Sequence, residues 1–248
     1  MTNFKIIIPV YNCAHLILKS MQIIAAQTHT AWQCAIINDA STDQTKNIVE
    51  KFAAENPKFK IINNPKNVGV GANIMAGISA ICSREDDVVV IVDGDDRLID
   101  NGVLDRLNRE YENPDVWLTY GQYVTAENLA LGRMVPGCNK PLTDIMTTRR
   151  VEVNFSHLKT FKYHLWKHVS DADLRGRDGG YIKSAFDVAL MVPMVELAGI
   201  KHVKFIDTIL YVYNMGNNGA HEFLRRPRVQ QEENLYIRSL PRKKALYD

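Results

Sequence analysis

The sequence predicts an α/β fold with a mostly parallel central sheet and helices on both faces. Three observations predict it. In the first half, apolar runs of strand length alternate with single segments of helical periodicity, the pattern of strand–helix–strand units. The run Asp87–Val92 is apolar on both faces after its first residue, as expected for a central strand covered on both sides. The 248 residues are 46% apolar and 23% charged. That composition is globular and excludes a disordered, collagen-like or coiled-coil chain.

Phe4–Val10 reads as the first strand, ending at Pro9-Val10-Tyr11-Asn12. Asn12 is placed to cap a helix whose apolar face is Leu16, Ile17, Met21, Ile24 and Ala25. Cys34–Asn38 is a second strand. Ser41-Thr42-Asp43-Gln44 reads as a capping box opening a helix through Ile48, Val49, Phe52 and Ala53. Pro57 stops that helix, because a proline disfavours helix in the residue before it. Phe59–Ile62 is a third strand, Gly71–Cys82 a third helix and Asp87–Val92 a fourth strand.

After Asn113 the rhythm changes. Val116–Tyr120 and Gln122–Thr125 read as two strands, Pro136–Pro141 as a turn-rich loop and Leu158–Val169 as an aromatic-rich helix. Asp187–Ala198 is a clear helix closed by Gly199, and His202–Tyr213 is largely strand. From Arg225 the tail is basic; Leu235, Tyr236, Ile237 and Leu240 suggest a helix docking an apolar edge, over a ligand site or toward an anionic partner, and a solvated end is the equal alternative. No linker or internal repeat interrupts the chain. One domain is expected over residues 1–248, organised as a first half 1–112, a second half 113–224 and a tail 225–248.

The net charge of +2 does not make nucleic acid or acidic lipid the default partner. No apolar run approaches the ~18–20 residues that span a bilayer, and the N-terminus reads as a strand, not a signal peptide. Cys13, Cys34, Cys82 and Cys138 include no C-x-x-C pair. They are expected to be reduced thiols in a cytoplasmic protein. Trp32, Trp117 and Trp166 are expected in the core, although each could stack on a sugar.

In open sheets of this kind ligands sit beyond the carboxyl ends of the strands. The chemistry is therefore sought at Tyr11-Asn12, Asp39, Asn63-Asn64 and Asp93-Gly94-Asp95-Asp96. The last is the strongest feature. Three carboxylates straight after a central strand repel one another and call for a cation, and hard divalent ions take oxygen ligands. Gly94 lets the backbone approach a ligand closely. The bland alternative is a solvated acidic turn. Asp39, at the end of strand two, can accept a hydrogen bond from a nucleobase imino group. If Ser41 caps the next helix, Asp39 has no local task.

These segments carry a resemblance. Ile6-Ile7-Ile8-Pro9-Val10-Tyr11-Asn12, Asn38–Asp43, Asn67-Val68-Gly69 and Asp93–Asp96 stand in the order seen in family 2 glycosyltransferases. The resemblance covers roughly residues 4–100. It implies the GT-A fold, a single Rossmann-like domain, in which Pro9, Val10, Tyr11, Asn12, Asp39, Asn67 and Gly69 line the nucleotide site. It further implies that the Asp93–Asp96 cluster, with Asp93, Gly94 and Asp95 foremost, meets ribose and a manganese or magnesium ion on the diphosphate, and it leaves open whether Asp93 or Asp96 contacts the ion. The family often has Ala-Arg-Asn-x-Gly after Asn-x-Gly; here Ala72-Asn73-Ile74-Met75-Ala76-Gly77 lacks the arginine.

Three later segments resemble a narrower branch of the family: Ser156–Lys162 its acceptor side, Phe186–Met194 the start of its catalytic helix, and Ile209–Asn214 with Asn217, Asn218 and His221 its closing segment. The resemblance implies that His221 is a metal ligand beside Asp93 and Asp95. It also implies that Asp187 is the general base of an inverting transfer. Family members typically have Glu-Asp where this chain has Phe186-Asp187, so a plain helix cap remains the alternative and Asp178 the second candidate. The expected partners are a nucleotide sugar, UDP-linked by analogy, and a carbohydrate or other hydroxyl acceptor. Peripheral membrane contact stays open and a nucleic-acid acceptor is not favoured. An oxidoreductase is disfavoured because Gly69-Val70-Gly71-Ala72-Asn73-Ile74 lacks the third glycine and follows strand three. A nucleotidyltransferase would also use paired carboxylates, but its glycine-rich basic loop after strand one is missing. An inactive sugar- or nucleotide-binding module is the third reading.

Overall fold

The computed structural model describes residues 1–137, 139–149, 155–215 and 227–247. Among them, eight strands form one sheet in the order β3-β2-β1-β4-β7-β6-β8-β5. The first half follows the expected alternation: β1 (Phe4–Val10), α1 (Ile17–Ala25), β2 (Trp32–Asn38), α2 (Thr45–Glu55), β3 (Phe59–Asn63), α3 (Val70–Ile81) and β4 (Val88–Ile91). All four strands run parallel, with β1 between β2 and β4. Their carboxyl ends therefore share one edge.

The alternation of side chains along β1 sorts the core into two layers. Ile6 and Ile8 pack with Ile17, Met21 and Ile24 of α1 and Val49 of α2, joined by Val103, Leu104 and Leu107 of α4 (Val103–Tyr111). Ile7 points the other way, onto Ile74 and Ile78 of α3 and the helix α7 (Phe186–Ala198). On α7 nearly every residue is buried, Glu196 included. A helix apolar all round belongs inside a fold.

The second half departs from expectation at two places. One strand, β6 (Leu118–Thr125), replaces the two expected, and its register against β8 (Val203–Tyr213) slips between Gly121, Gln122 and Tyr123. The expected helix Leu158–Val169 is instead the strand β7 (Lys159–Lys162) followed by one short turn of helix, α6 (Tyr163–Trp166). The spacing of Leu158, Phe161 and Leu165 fits a helix. However, this segment fills the gap between β4 and β6, antiparallel to both, and supplies the ladder that β4 needs on its outer side. Its buried Thr160 hydroxyl meets Thr119 (2.6 Å) and Tyr111 (2.7 Å). The short strand β5 (Arg97–Leu98) closes the sheet against β8, α5 (Ala126–Ala130) follows β6, and α8 (Pro227–Ser239) packs on α7.

The expected caps are also rearranged. Asn12 sits at φ 52°, and its side chain accepts from the Thr42 N–H (2.8 Å), not from α1. The first turn of α1 closes on the Cys13 carbonyl. Asp43 accepts the Thr45 N–H at the start of α2, while the Ser41 hydroxyl accepts from the Asn12 N–H. These bonds tie the loop after β1 to the loop after β2. Cys13, Cys34 and Cys82 are free and buried; Cys138 lies outside the described residues. Trp32 is buried, Trp117 stacks on His202 and Trp166 on Phe161, as packing residues do.

Candidate active site

The edge where β1, β2 and β4 end collects Tyr11, Asp39 and Asp93. Tyr11 is exposed there. Asp39 is buried and has a local task after all. Its Oδ1 accepts from the Val68 N–H and the Asn64 amide, and its Oδ2 from the Gly69 N–H, all at 2.9 Å. The Asn67 amide reaches its main-chain oxygen (3.4 Å), and its own N–H donates to Val10 (2.9 Å). Asp39 thus shapes the turn leading into α3, where Gly69 takes φ 87°. Gly94 is required by crowding from β1: a Cβ there would lie 2.7 Å from the Pro9 carbonyl oxygen and 2.6 Å from a Val10 methyl. The acidic turn and the end of β1 are therefore in direct contact.

The antiparallel direction of β7 brings its first residues to the same edge, since Lys159 pairs with Ile91 at the end of β4. Lys159 is wholly buried, and its ammonium donates to Asp187 Oδ1 (2.6 Å) and lies 3.5 Å from His157 Nδ1. His157 Nδ1 is in turn 3.8 Å from Asp93 Oδ2. The His157 ring stacks on Tyr211 and Tyr213 of β8. The Tyr211 hydroxyl accepts the Asp93 N–H (3.0 Å), and the Asn214 N–H donates to Asp96 Oδ1 (2.7 Å). Asp187 opens α7 with its side chain about half exposed.

Charge follows from this packing. Burial, reinforced by Asp187 and Asp95 and opposed by Lys159, pushes the Asp93 carboxyl up to about 7. Burial, then Asp95 and Asp93, raises Asp96 as well. Desolvation would also raise Asp187, but the Lys159 ammonium outweighs it and holds that carboxyl below the usual range. Burial and the adjacent ammonium push His157 down to about 3, so its ring is neutral. Burial alone would lower Lys159, but Asp187 and Asp93 keep it charged.

Asp93, Asp96 and His157 bring possible ligand atoms within 4.8 Å of one another, and Asp96 Oδ2 is buried without a hydrogen-bond partner. This oxygen-rich set fits a hard divalent ion. On the His157 side Lys159 already supplies positive charge. Beside the Asp93–Asp96 turn a cavity of about 400 Å³ is lined by Asp95, Asp96, Asn214, His15, Lys19 and Arg97 among others, so carboxylates and cationic side chains both face it. His221, Asn217 and Asn218 lie outside the described residues. Asp178 is exposed and caps Gly180 in a turn of its own. The family resemblance placed His157 and Lys159 in an acceptor-side segment, Ser156–Lys162, but gave neither a role of its own, and with Leu158–Val169 read as helix nothing put them on this sheet edge.

The family described as "Glycosyl transferase family 2" matches over residues 5–165, well over half the chain. The chain belongs to glycosyltransferase family 2. Chondroitin synthase of Escherichia coli is 24% identical to this glycosyltransferase over 238 residues, 94% of this chain and 32% of that protein. Hyaluronan synthase of Pasteurella multocida is 24% identical over 237 residues, 94% of this chain and 22% of that one. The chain thus spans a third or less of the length of these two synthases. Among solved structures, S. aureus TarS with UDP-GlcNAc superposes with TM-score 0.67 at 20% identity, covering 89% of this chain and 60% of that one. The mannosyltransferase PcManGT of Pyrobaculum calidifontis, with GDP-Man and Mn2+, gives 0.64 at 18%, covering 94% and 62%. At these identities the likeness shows the fold, which is GT-A. No helix among the described residues is long and apolar enough to cross a membrane.

Proposed function

We propose that this glycosyltransferase moves a sugar from a nucleotide donor, UDP-linked, to an acceptor hydroxyl with inversion at the anomeric carbon, and that Asp187 is the base. The observation that carries this reading is the placement of the Asp187 carboxylate. It is half exposed, kept ionised by a buried lysine, and on the same sheet edge as Asp93–Asp96. Residues 1–112 hold the donor. Tyr11 offers a face for the base, and Asp39 Oδ2 accepts one protein hydrogen bond and can take a second from an imino N–H. Residues 113–224 supply the acceptor side. The acceptor oxygen attacks the anomeric carbon, its proton passes to Asp187, and the sugar–phosphate bond breaks with its electron pair leaving on the diphosphate.

Asp95 and Asp93 would hold manganese or magnesium, with Asp96 beside them and His221 as the third ligand the family resemblance implies. When bound, the ion offsets charge on the diphosphate leaving group. GDP-Man and Mn2+ in one structural neighbour and UDP-GlcNAc in another support a nucleotide sugar and a divalent ion.

Asp187→Asn should leave UDP affinity unchanged and cut turnover by ~10²–10⁴-fold. Proton NMR should show the product anomer inverted relative to the donor; retention would reject single displacement. Asp95→Ala should abolish transfer in a folded protein, and full activity in excess chelator would remove the metal from this scheme.

A further inference from the structure

The helix α7 has no cap of its own, although it presents Asp187 in its first turn. Its N-cap residue is Ala185, whose side chain offers no acceptor. Helix N-termini expose N–H groups that need partners. Here the chain just ahead of the helix is held from outside by α8. Glu233 Oε2 accepts from the Ser184 N–H (2.8 Å) and the Ala185 N–H (3.0 Å), and Glu233 Oε1 from the Lys183 N–H (3.2 Å). Gln230 Nε2 donates to the Ser184 carbonyl (3.2 Å). A carboxylate in this position also suits the positive end of the α7 dipole.

Glu233 is itself fixed in place. Four residues on, Ile237 is buried in the core, and its carbonyl accepts from Arg149 Nη1 (2.7 Å). Arg238 Nη1 donates to the Thr148 carbonyl (2.8 Å). On the other side Phe186 packs against Gly71, where a Cβ would lie 2.6 Å from its ring, and Lys159 holds the Asp187 carboxylate. The backbone two residues before the base is thus set by Glu233 and its side chain by Lys159.

We infer that Glu233 is a positioning residue for the transfer reaction, acting through the first turn of α7 on Asp187. This rests on Asp187 being the base. The residue lies outside the stretch that matches the family, 5–165.

The test uses the full chain with Glu233→Ala, Glu233→Gln, Asp187→Asn and the double variant Glu233→Ala/Asp187→Asn, with thermal melts for each. Glu233→Ala should lower kcat by ~10–100-fold, the scale of a small misplacement of a reacting group, with donor KM within about two-fold. Glu233→Gln keeps a carbonyl oxygen for Ser184 and Ala185 and should recover most of kcat. In the Asp187→Asn background, Glu233→Ala should remove little or nothing more. Wild-type kcat in Glu233→Ala overturns the inference, as does an equal loss in both backgrounds, which would mark a general structural role. If Glu233→Ala does not fold, Glu233→Asp, whose shorter side chain draws the carboxylate back from the Ser184 and Ala185 N–H groups, takes its place in both backgrounds: a kcat loss confined to the Asp187 background supports the inference, and wild-type kcat overturns it. Wild-type turnover in Asp187→Asn alone fails the base reading itself, whatever Glu233 does.

Discussion

Lys159 sets the charge state of the site. It is one buried cation facing Asp187 at 2.6 Å, with Asp93 also within electrostatic reach. Asp187 is depressed in the folded protein, so its ionised form contributes stability above its unfolded pKa, and that contribution is lost as pH falls through the lower folded value. In the proposed role of base it would stay ionised from neutrality down through the ordinary carboxylate range. In Lys159→Met the compensating charge is gone. The acidic limb of the kcat profile should then move up by ~1–3 pH units, the usual effect of an adjacent cation on an aspartate. A pH–rate profile checks this. An unmoved limb with normal kcat would show that Lys159 does not govern Asp187 during turnover.

The functional edge depends on contacts between whole elements, and the end of β1 against the turn after β4 is the tightest. Gly94 faces backbone there, the Pro9 carbonyl and the Val10 Cα, so neither neighbour can rotate away. Gly94→Ala should push β1 and the acidic turn apart and cost ~1–3 kcal/mol, the range for overpacking a filled interior. Because Tyr11 and Asp93–Asp95 ride on these two segments, UDP binding should weaken along with stability. Calorimetric titration and urea unfolding on the same variant measure both, and an unchanged melt with unchanged affinity would reject the contact as structural. The strand β7 shows the same dependence from another direction, since its pairing with β4 delivers His157 and Lys159 to the edge.

At the scale of the molecule, the C-terminal segment is part of the core layer and not a free basic tail. Arg149 donates to Glu196 of α7 (2.5 and 2.7 Å) and to the carbonyls of Ile237 and Pro241. Lys243 adds its N–H to Glu196 and an ion pair to Asp173, and the Leu246 N–H pairs with Leu197. Of the apolar residues expected to dock, Ile237 is buried while Leu235 is exposed. Arg149→Met should leave the Glu196 carboxylate buried without its ion-pair partner and cost ~3–5 kcal/mol. Denaturant unfolding measures that, and a loss under 1 kcal/mol would mean Lys243 and solvent already satisfy Glu196. Truncation after Asn234 should lower the melting temperature sharply, where a solvated tail would leave it unchanged.

The first half of this protein was legible in the sequence because its signals are local. Each of β1 to β4 is a short apolar run with its own stop, each helix has its own periodic face, and Asp93, Asp95, Asp39 and Asp187 all stand at element ends that periodicity locates. The cap assignments at Asn12 and Ser41 failed for a reason of distance: those side chains bond to each other's loops, some thirty residues apart in sequence. The segment Leu158–Val169 has helical spacing, and only the open side of β4 makes its Lys159–Lys162 stretch a strand. Local chemistry therefore determined which carboxylates could serve the site. The tertiary structure decided which cation meets them and what holds them in place, because a buried lysine finds its aspartate, and a helix its borrowed cap, only when distant strands and helices pack.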